Sequence, residues 1–332
     1  MSGADIPYQL RPNKFIDRQM FLEALSRLII PRGLERYVYV SMGGRHLIDH
    51  HAIYNTLGVE ALFSFDTDAN EVARQKFNRP TGNTICVEMN SSNLAAALDS
   101  ILERFPSKRN LIIWLDYTGA RRREQFQQTV QTLIRLRHGD IFRITLNANP
   151  QTLSSGSQWR KAGAVSPAAY RADQLRTQIQ EFFPNHVDEI VDTTLPAVLA
   201  QCVRLATEAA RTSMPNLRYT PVLITSYSDG TPMLTVTCAV ADIDQRDRFP
   251  SQYFRRWKYA CRGWDDIQTI SAPVLSLREQ YRLDANLHRG ARRMLSALRF
   301  LPGEDEEASL NAIKSYKAFN RFYPTFRHIN DA

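Results

Sequence analysis

Residues 37–77 constrain this chain more than any other stretch. They read YVYVSMGG, then RHLIDHHAIYNTLG, then VEALFSFDTDANEVARQKF. A valine-rich apolar run ends in the pair Gly43-Gly44. A segment with helical spacing follows, and a second apolar run ends on Asp66. Strand, glycine turn, helix, strand and acid, in that order, suit a nucleotide-type ligand. The glycines let the backbone approach it, the helix N-terminus offers free N–H groups, and an acid at the second strand tip can accept from two ribose hydroxyls.

The same alternation continues. Apolar runs at 37–42, 60–66, 84–89, 110–116 and 140–148 are separated by helical segments at 46–57, 69–77, 93–105 and 122–136. Each run is apolar enough to be buried on both faces, which predicts a parallel sheet with right-handed crossovers. Gly58 is placed to cap the first of these helices. After a Ser/Gly-rich loop over 151–167, helices are expected at 168–183 and 193–212. Two further apolar runs then flank Ser228-Asp229-Gly230, a hairpin signal. Upstream, residues 1–14 read as an extended arm in which Pro7 and Pro12 block helix. A helix over 17–30 follows, with Phe21, Leu22, Leu25, Leu28 and Ile29 on one face.

Beyond Asp242 the texture changes. Residues 246–262 mix arginine with Phe249, Tyr253, Phe254, Trp257 and Tyr259. SLRE at 276–279 has capping-box spacing, and the acids of 304–307 suit a helix start. The chain therefore divides into an N-terminal arm and helix over 1–36, an α/β sheet domain over 37–242, and a basic, mostly helical appendix over 243–332.

With 332 residues, 43% hydrophobic and 23% charged, the chain has material for a large core. No apolar run approaches the roughly 18 residues of a membrane span, and 1–14 lacks the apolar core of a signal peptide, so a cytoplasmic location is expected. Cys86, Cys202, Cys238 and Cys261 lie far apart without CxxC spacing, and read as buried thiols.

At this point the chain resembles the class I S-adenosylmethionine (SAM)-dependent methyltransferase superfamily. It looks most like bacterial proteins labelled "putative O-methyltransferase", of unknown substrate. The resemblance covers about 37–240 and implies a Rossmann-like sheet whose parallel strands end in an antiparallel hairpin. It implies a SAM site in which Gly43 and Gly44 lie against the methionine part, Asp66 binds the ribose, and Asn90 and Ser91 lie beside the adenine. Asp116 and Tyr117 match the motif nearest the transferred methyl group. The chain departs from the family's acid-x-Gly-x-Gly-x-Gly turn: Ser41 replaces the acid, Arg45 the second glycine and Leu47 the third. Its fourth motif reads Asp-Tyr-Thr-Gly, not the Asp/Asn-Pro-Pro-Tyr of amino-methylating enzymes. The alternative function is a non-catalytic methyltransferase-like module that binds nucleic acid or a protein partner. A role in bacterial defence is suggested by association only.

Each site residue also has a plain structural reading. A Gly pair can simply end a strand, and Asp66 can cap a helix, as Asp68 is expected to do for the helix from Ala69. Asp116 either orients or deprotonates an acceptor, or bonds loop N–H groups. Tyr117 lines a pocket or belongs to the core. His46, Asp49, His50 and His51 read as solvated helix residues near the pocket mouth. His46 and His50 have i, i+4 spacing but lack the further ligands a zinc site needs, so no metal is expected. Arg121, Arg122 and Arg123 open a predicted helix, where its dipole disfavours cations. At least one should meet a fixed anion or acid, unless all three are solvated.

The net charge is +8 and is concentrated. Residues 246–299 hold 12 Arg and Lys against five Asp and Glu, a surplus of +7. Such a patch favours an anionic partner, nucleic acid above all. Arg255, Arg256 and Lys258 stand among rings, as in single-strand binders, although those rings could equally pack on the main domain. Arg278, Arg282, Arg289 and Arg293 fall on one face of a continuous helix, were Gly290 not to interrupt it.

Overall fold

The computed structural model describes residues 11–154, 156–245 and 247–324. Residues 1–10 of the arm expected over 1–14, Arg246 at the head of the basic segment, and the end of the aromatic C-terminal stretch lie outside them.

The first helix is α1 (Pro12–Ile29). The expectation that Pro12 blocks helix is corrected: Pro12 occupies the first helical position, where its missing N–H costs nothing. The alternation then runs β1 (Tyr37–Ser41), α2 (Ile48–Leu57), β2 (Ala61–Asp66), α3 (Ala69–Phe77), β3 (Ile85–Glu88), α4 (Leu94–Glu103), β4 (Asn110–Asp116), α5 (Arg122–Leu133) and β5 (Ile141–Asn147). The loop expected over 151–167 contains a short helix, α6 (Gln158–Lys161). Then come α7 (Pro167–Ile179), α8 (Leu195–Ser213) and the hairpin of β6 (Leu217–Ser228) and β7 (Pro232–Asp242). The rest comprises α9 (Gln252–Arg255), β8 (Gln268–Ile270), α10 (Leu277–Asp284), α11 (Ala291–Leu298) and α12 (Glu306–Phe319). None of the described helices is long and apolar enough to cross a membrane.

The strand order is β3-β2-β1-β4-β5-β7-β6, with the three-residue β8 after β6. Strands β1 to β5 pair in parallel, and β7 pairs antiparallel to β5 from Ile141–Ala239 to Asn147–Met233. The fold is thus α/β, a Rossmann-like sheet that ends in an antiparallel hairpin. Val38, Val40, Phe63, Phe65, Ile113, Leu115, Phe142 and Ile144 cover one sheet face and join the main core with Leu94 and Leu98 of α4, Phe126 and Leu133 of α5, and Leu199 and Val203 of α8. The opposite face carries the Tyr39 ring, edge-on to His50 of α2, and Ser64, bonded to Gln75 of α3. Cys86, Cys202 and Cys238 are buried free thiols; Cys261 is half-buried.

The chain divides into two compact units. One runs Leu22–Ser226 and Thr231–Gln268, and holds most of the sheet. The other joins the first part of α1, the hairpin tip Tyr227–Gly230 and everything from Thr269. In the second unit the Asp229 carboxylate accepts from the backbone N–H of Asn13 (3.3 Å) and Lys14 (2.7 Å). A residue of the hairpin therefore caps α1 across more than 200 residues of chain. The Asn13 side chain donates to Asp229 and Ser228 O and accepts from Ala272 N. The helices α10 to α12 pack on Leu283, Met294, Ile313 and Tyr316, and the Tyr316 hydroxyl donates to Asp284 at 2.7 Å.

Candidate functional site

The strand order reverses between β1 and β4, where neighbouring connections leave in opposite directions. In open α/β sheets, ligands bind in the crevice this leaves at the carboxyl ends of the strands. The Gly43-Gly44 turn follows β1, Asp66 ends β2, Asn90 and Ser91 follow β3, and Asp116 and Tyr117 end β4. All seven sequence-selected residues therefore belong to the loops or strand ends at one edge of the sheet.

The two glycines have different reasons to be glycine. A Cβ on Gly43 would overlap Ser64 Oγ and stand 2.5 Å from Leu47 Cδ2. Its carbonyl accepts from the Gln75 side chain, which also accepts from Ser64 Oγ at 3.0 Å. Internal packing alone thus excludes a side chain at Gly43. Around Gly44 nothing lies within 4 Å of the Cβ position, and the residue is exposed. It is there that a ligand can reach the backbone.

The departures from a glycine-rich turn are accommodated locally. Leu47, in place of the third glycine, keeps a left-handed backbone (φ 47°, ψ 36°). A leucine in that region is strained, and burial of its side chain among α2, α3 and β3 holds it there. Arg45 turns away into an ion pair with Glu71 at 3.1 Å. Ser41 is buried at the end of β1.

Asp66 accepts from Asp68 N at 3.0 Å through Oδ1, and no described group bonds its second oxygen. Asp68 caps α3, accepting from Asn70 N and Glu71 N. Asn90 accepts from Ser92 N at 2.9 Å and so opens the short turn before α4. Tyr117 is buried; its hydroxyl donates to Gln128 Oε1 at 2.7 Å and is bonded to the Ser91 hydroxyl. Burial pushes that phenol well above its ordinary range, so it stays protonated. Asp116 is half-buried beside Thr145 of β5.

Arg122 is the surprise of this edge. It is 2% exposed, and its guanidinium donates to Asn147 O (3.0 Å), Thr152 Oγ1 (2.6 Å) and Gln178 Oε1 (3.3 Å). Of the arginine triplet it is Arg121 that meets an acid, 4.0 Å from the Glu124 carboxylate at the surface, whereas all three acceptors of the buried Arg122 are neutral. Desolvation lowers the pKa of Arg122 to about 10. Arg122 pins the end of β5 and the turn after it to α5 and α7. Asn147 completes the edge, donating to Thr118 O and accepting from Asn149 N. Neither role was legible beforehand, though an amide at a strand tip (TLNANP) was an available signal for Asn147.

The histidines are corrected as well. His46 lies in the turn before α2, so the expected i, i+4 pair on one helix does not form. His50 is not solvated but fully buried, its Nε2 3.2 Å from Phe63 O, and burial lowers its pKa to about 4. Among the described residues, no three His, Cys, Asp or Glu side chains cluster as a metal site would require.

The basic residues fall in both units. Arg255, Arg256 and Lys258 are exposed in the sheet unit, while Phe249, Phe254, Trp257 and Tyr259 between and around them are buried. Those four rings are core and cannot stack on bases. Arg278, Arg282, Arg289 and Arg293 are in the other unit and share no continuous helix face, because the interruption allowed for at Gly290 occurs: α10 ends at Asp284, and Gly290 is the N-cap of a separate helix, α11.

Sequence comparison matches residues 6–331 to a family described as "Putative O-methyltransferase". No curated protein matches the chain. Among solved structures, the N-methyltransferase NodS from Bradyrhizobium japonicum WM9 is similar at 9% identity over 67% of this chain and 95% of its own, with TM-score 0.35. A variant of the 16S rRNA (adenine(1408)-N(1))-methyltransferase from Catenulisporales acidiphilia shares 13% identity over 70% and 94%, with TM-score 0.33. An O-methyltransferase family protein from Burkholderia thailandensis shares 14% identity over 67% and 59%, with TM-score 0.32.

Proposed function

The chain belongs to the family described as "Putative O-methyltransferase", and we propose that it transfers a methyl group from SAM to an oxygen acceptor at the β1–β4 crevice. One observation carries this reading. The switch point of the sheet gathers an open glycine backbone at Gly44 and a ribose-type acid at Asp66 with an uncommitted oxygen. The residues present fit the cofactor: a backbone that admits close approach, and an acceptor for vicinal hydroxyls.

SAM supplies an activated methyl group. The Gly43-Gly44 turn would hold its amino-acid part and Asp66 its ribose, with Asn90 and Ser91 bordering the adenine. Methyl transfer is a direct displacement, so the chain's work is to orient the acceptor and exclude water. Asp116, half-buried at the end of β4, is the group that would orient the acceptor hydroxyl or take its proton. Tyr117 remains a neutral phenol tied to Gln128, and serves to position the loop rather than to accept a proton. Arg122 braces the acceptor side of the crevice by fixing the end of β5.

Thermal melting tests the reading. A ligand present at about 100 times its Kd stabilises the folded state by about 3 kcal/mol. SAM or S-adenosylhomocysteine at millimolar concentration should therefore raise the melting temperature by about 2 °C or more. If neither ligand moves it, the cofactor assignment fails.

A further inference from the structure

In the second unit, a groove runs between α10 and the end of α11, lined by Arg278, Glu279, Tyr281, Arg282, Arg299 and Phe300. We propose that this groove binds single-stranded nucleic acid.

The cations are available. Among the described residues, none of Arg278, Arg282 and Arg299 has a carboxylate within ion-pair distance. The one acid of the groove is already committed: Glu279 accepts from Ser276 N at 2.7 Å, closing the capping box that starts α10. Two of the arginines are held by the fold. Arg282 donates through Nε to Ala297 O at 3.2 Å, which keeps its position across the two helices. Arg299 adopts a left-handed backbone (φ 65°) where α11 ends, which places it at the rim with Phe300 directly after it.

The rings are available too. Tyr281 is 58% exposed and Phe300 47%. Cations that meet phosphates, beside rings that meet base faces, match an unpaired strand. A duplex hides its base faces and would use the arginines alone. The groove belongs to the unit that does not contain the β1–β4 crevice, and the proposal does not depend on methyl transfer.

Fluorescence anisotropy with the full-length protein and a labelled single-stranded oligonucleotide of about ten nucleotides tests it, with the matching duplex as comparison. The single strand should bind at low salt and more weakly as salt rises, and the duplex should bind more weakly than the single strand. Arg278→Glu/Arg282→Glu/Arg299→Glu should weaken single-strand binding at least about tenfold and lower the salt slope by about 2, near 0.7 for each phosphate that is no longer neutralised. Tyr281→Ala/Phe300→Ala should weaken it at least about fivefold and leave the slope unchanged. All five positions are at the surface, and melting curves confirm folding; should the Glu variant not fold, the same three positions as Gln carry the slope test. No binding at low salt overturns the proposal. So does unchanged binding in the arginine variant. Equal binding of duplex and single strand, insensitive to the ring variant, means a general polyanion surface and overturns it as well.

Discussion

His50 and Asp140 are buried titratable groups whose effects on stability oppose each other. His50 is held neutral: burial lowers its pKa from 6.5 to about 4. Its contribution is complete above pH 6.5 and is lost as pH falls through about 4. Asp140 goes the other way. Burial raises it from 3.8 to about 6, although Asn110, Leu111 N and Arg137 N all donate to its carboxylate. Its contribution is present below pH 3.8 and is lost as pH rises through about 6. Each shift is worth about 3 kcal/mol. Between pH 6 and 4 the two slopes largely cancel in the natural chain. Asp140→Asn leaves the His50 slope alone, so the melting temperature of the variant should fall more steeply than that of the natural protein on acidification over this range. Parallel curves for the two proteins would contradict the opposing pair. At the same scale, sequence located the crevice residues but not their reasons. The pair Gly43-Gly44 reads as one motif; in the structure Ser64 and Leu47 demand the first glycine, and open space distinguishes the second. The burial of His50 and Arg122 depends on partners in β2, β5 and α7, which no local spacing announces.

The start of α1 shows how an element can be fixed from elsewhere. Pro12 suits a first helical position, and the free N–H groups that follow it still need an acceptor as a cap. The Asp229 carboxylate supplies one from the hairpin tip, accepting from Asn13 N and Lys14 N at the positive end of the helix dipole. Asp229→Ala should therefore destabilise the protein by about 1–2 kcal/mol. Loss of amide protection confined to the first turn of α1, in hydrogen exchange, would locate the effect there. A variant as stable as the natural chain, with α1 equally protected, would remove Asp229 as the cap. Elements whose cues are local were legible: the five parallel strands, the hairpin around Asp229-Gly230 and the Ser276/Glu279 capping box. The helical start over 11–14 was not legible, because its stabilising partner lies about 215 residues away. The break between α10 and α11 was signalled by Gly290 itself, although arginine periodicity continues across it.

On the scale of the molecule, the basic surplus is a property of sequence order before it is a property of a surface. Residues 246–299 straddle the two units, so Arg255, Arg256 and Lys258 belong with the sheet, and Arg278 to Arg299 with α10 and α11. The sheet itself needs only short-range alternation of apolar runs and helices, which is why its class was readable. The pairing of β7 with β5 closes the antiparallel end of the sheet, beyond the β1–β4 switch point.

Calorimetric titration with S-adenosylhomocysteine measures whether the β1–β4 crevice holds the cofactor. The natural protein should give a saturable, one-site binding curve. Asp66→Ala should weaken binding by about 1–3 kcal/mol, the cost of a charge-assisted hydrogen-bond partner. Gly44→Val should weaken it strongly while the melting temperature without ligand holds, because the protein itself leaves that space open. Asp68→Ala, which removes only the cap of α3, should leave affinity little changed. No heat of binding to the natural protein, or equal affinity in Asp66→Ala and Gly44→Val, would contradict a cofactor site at this crevice.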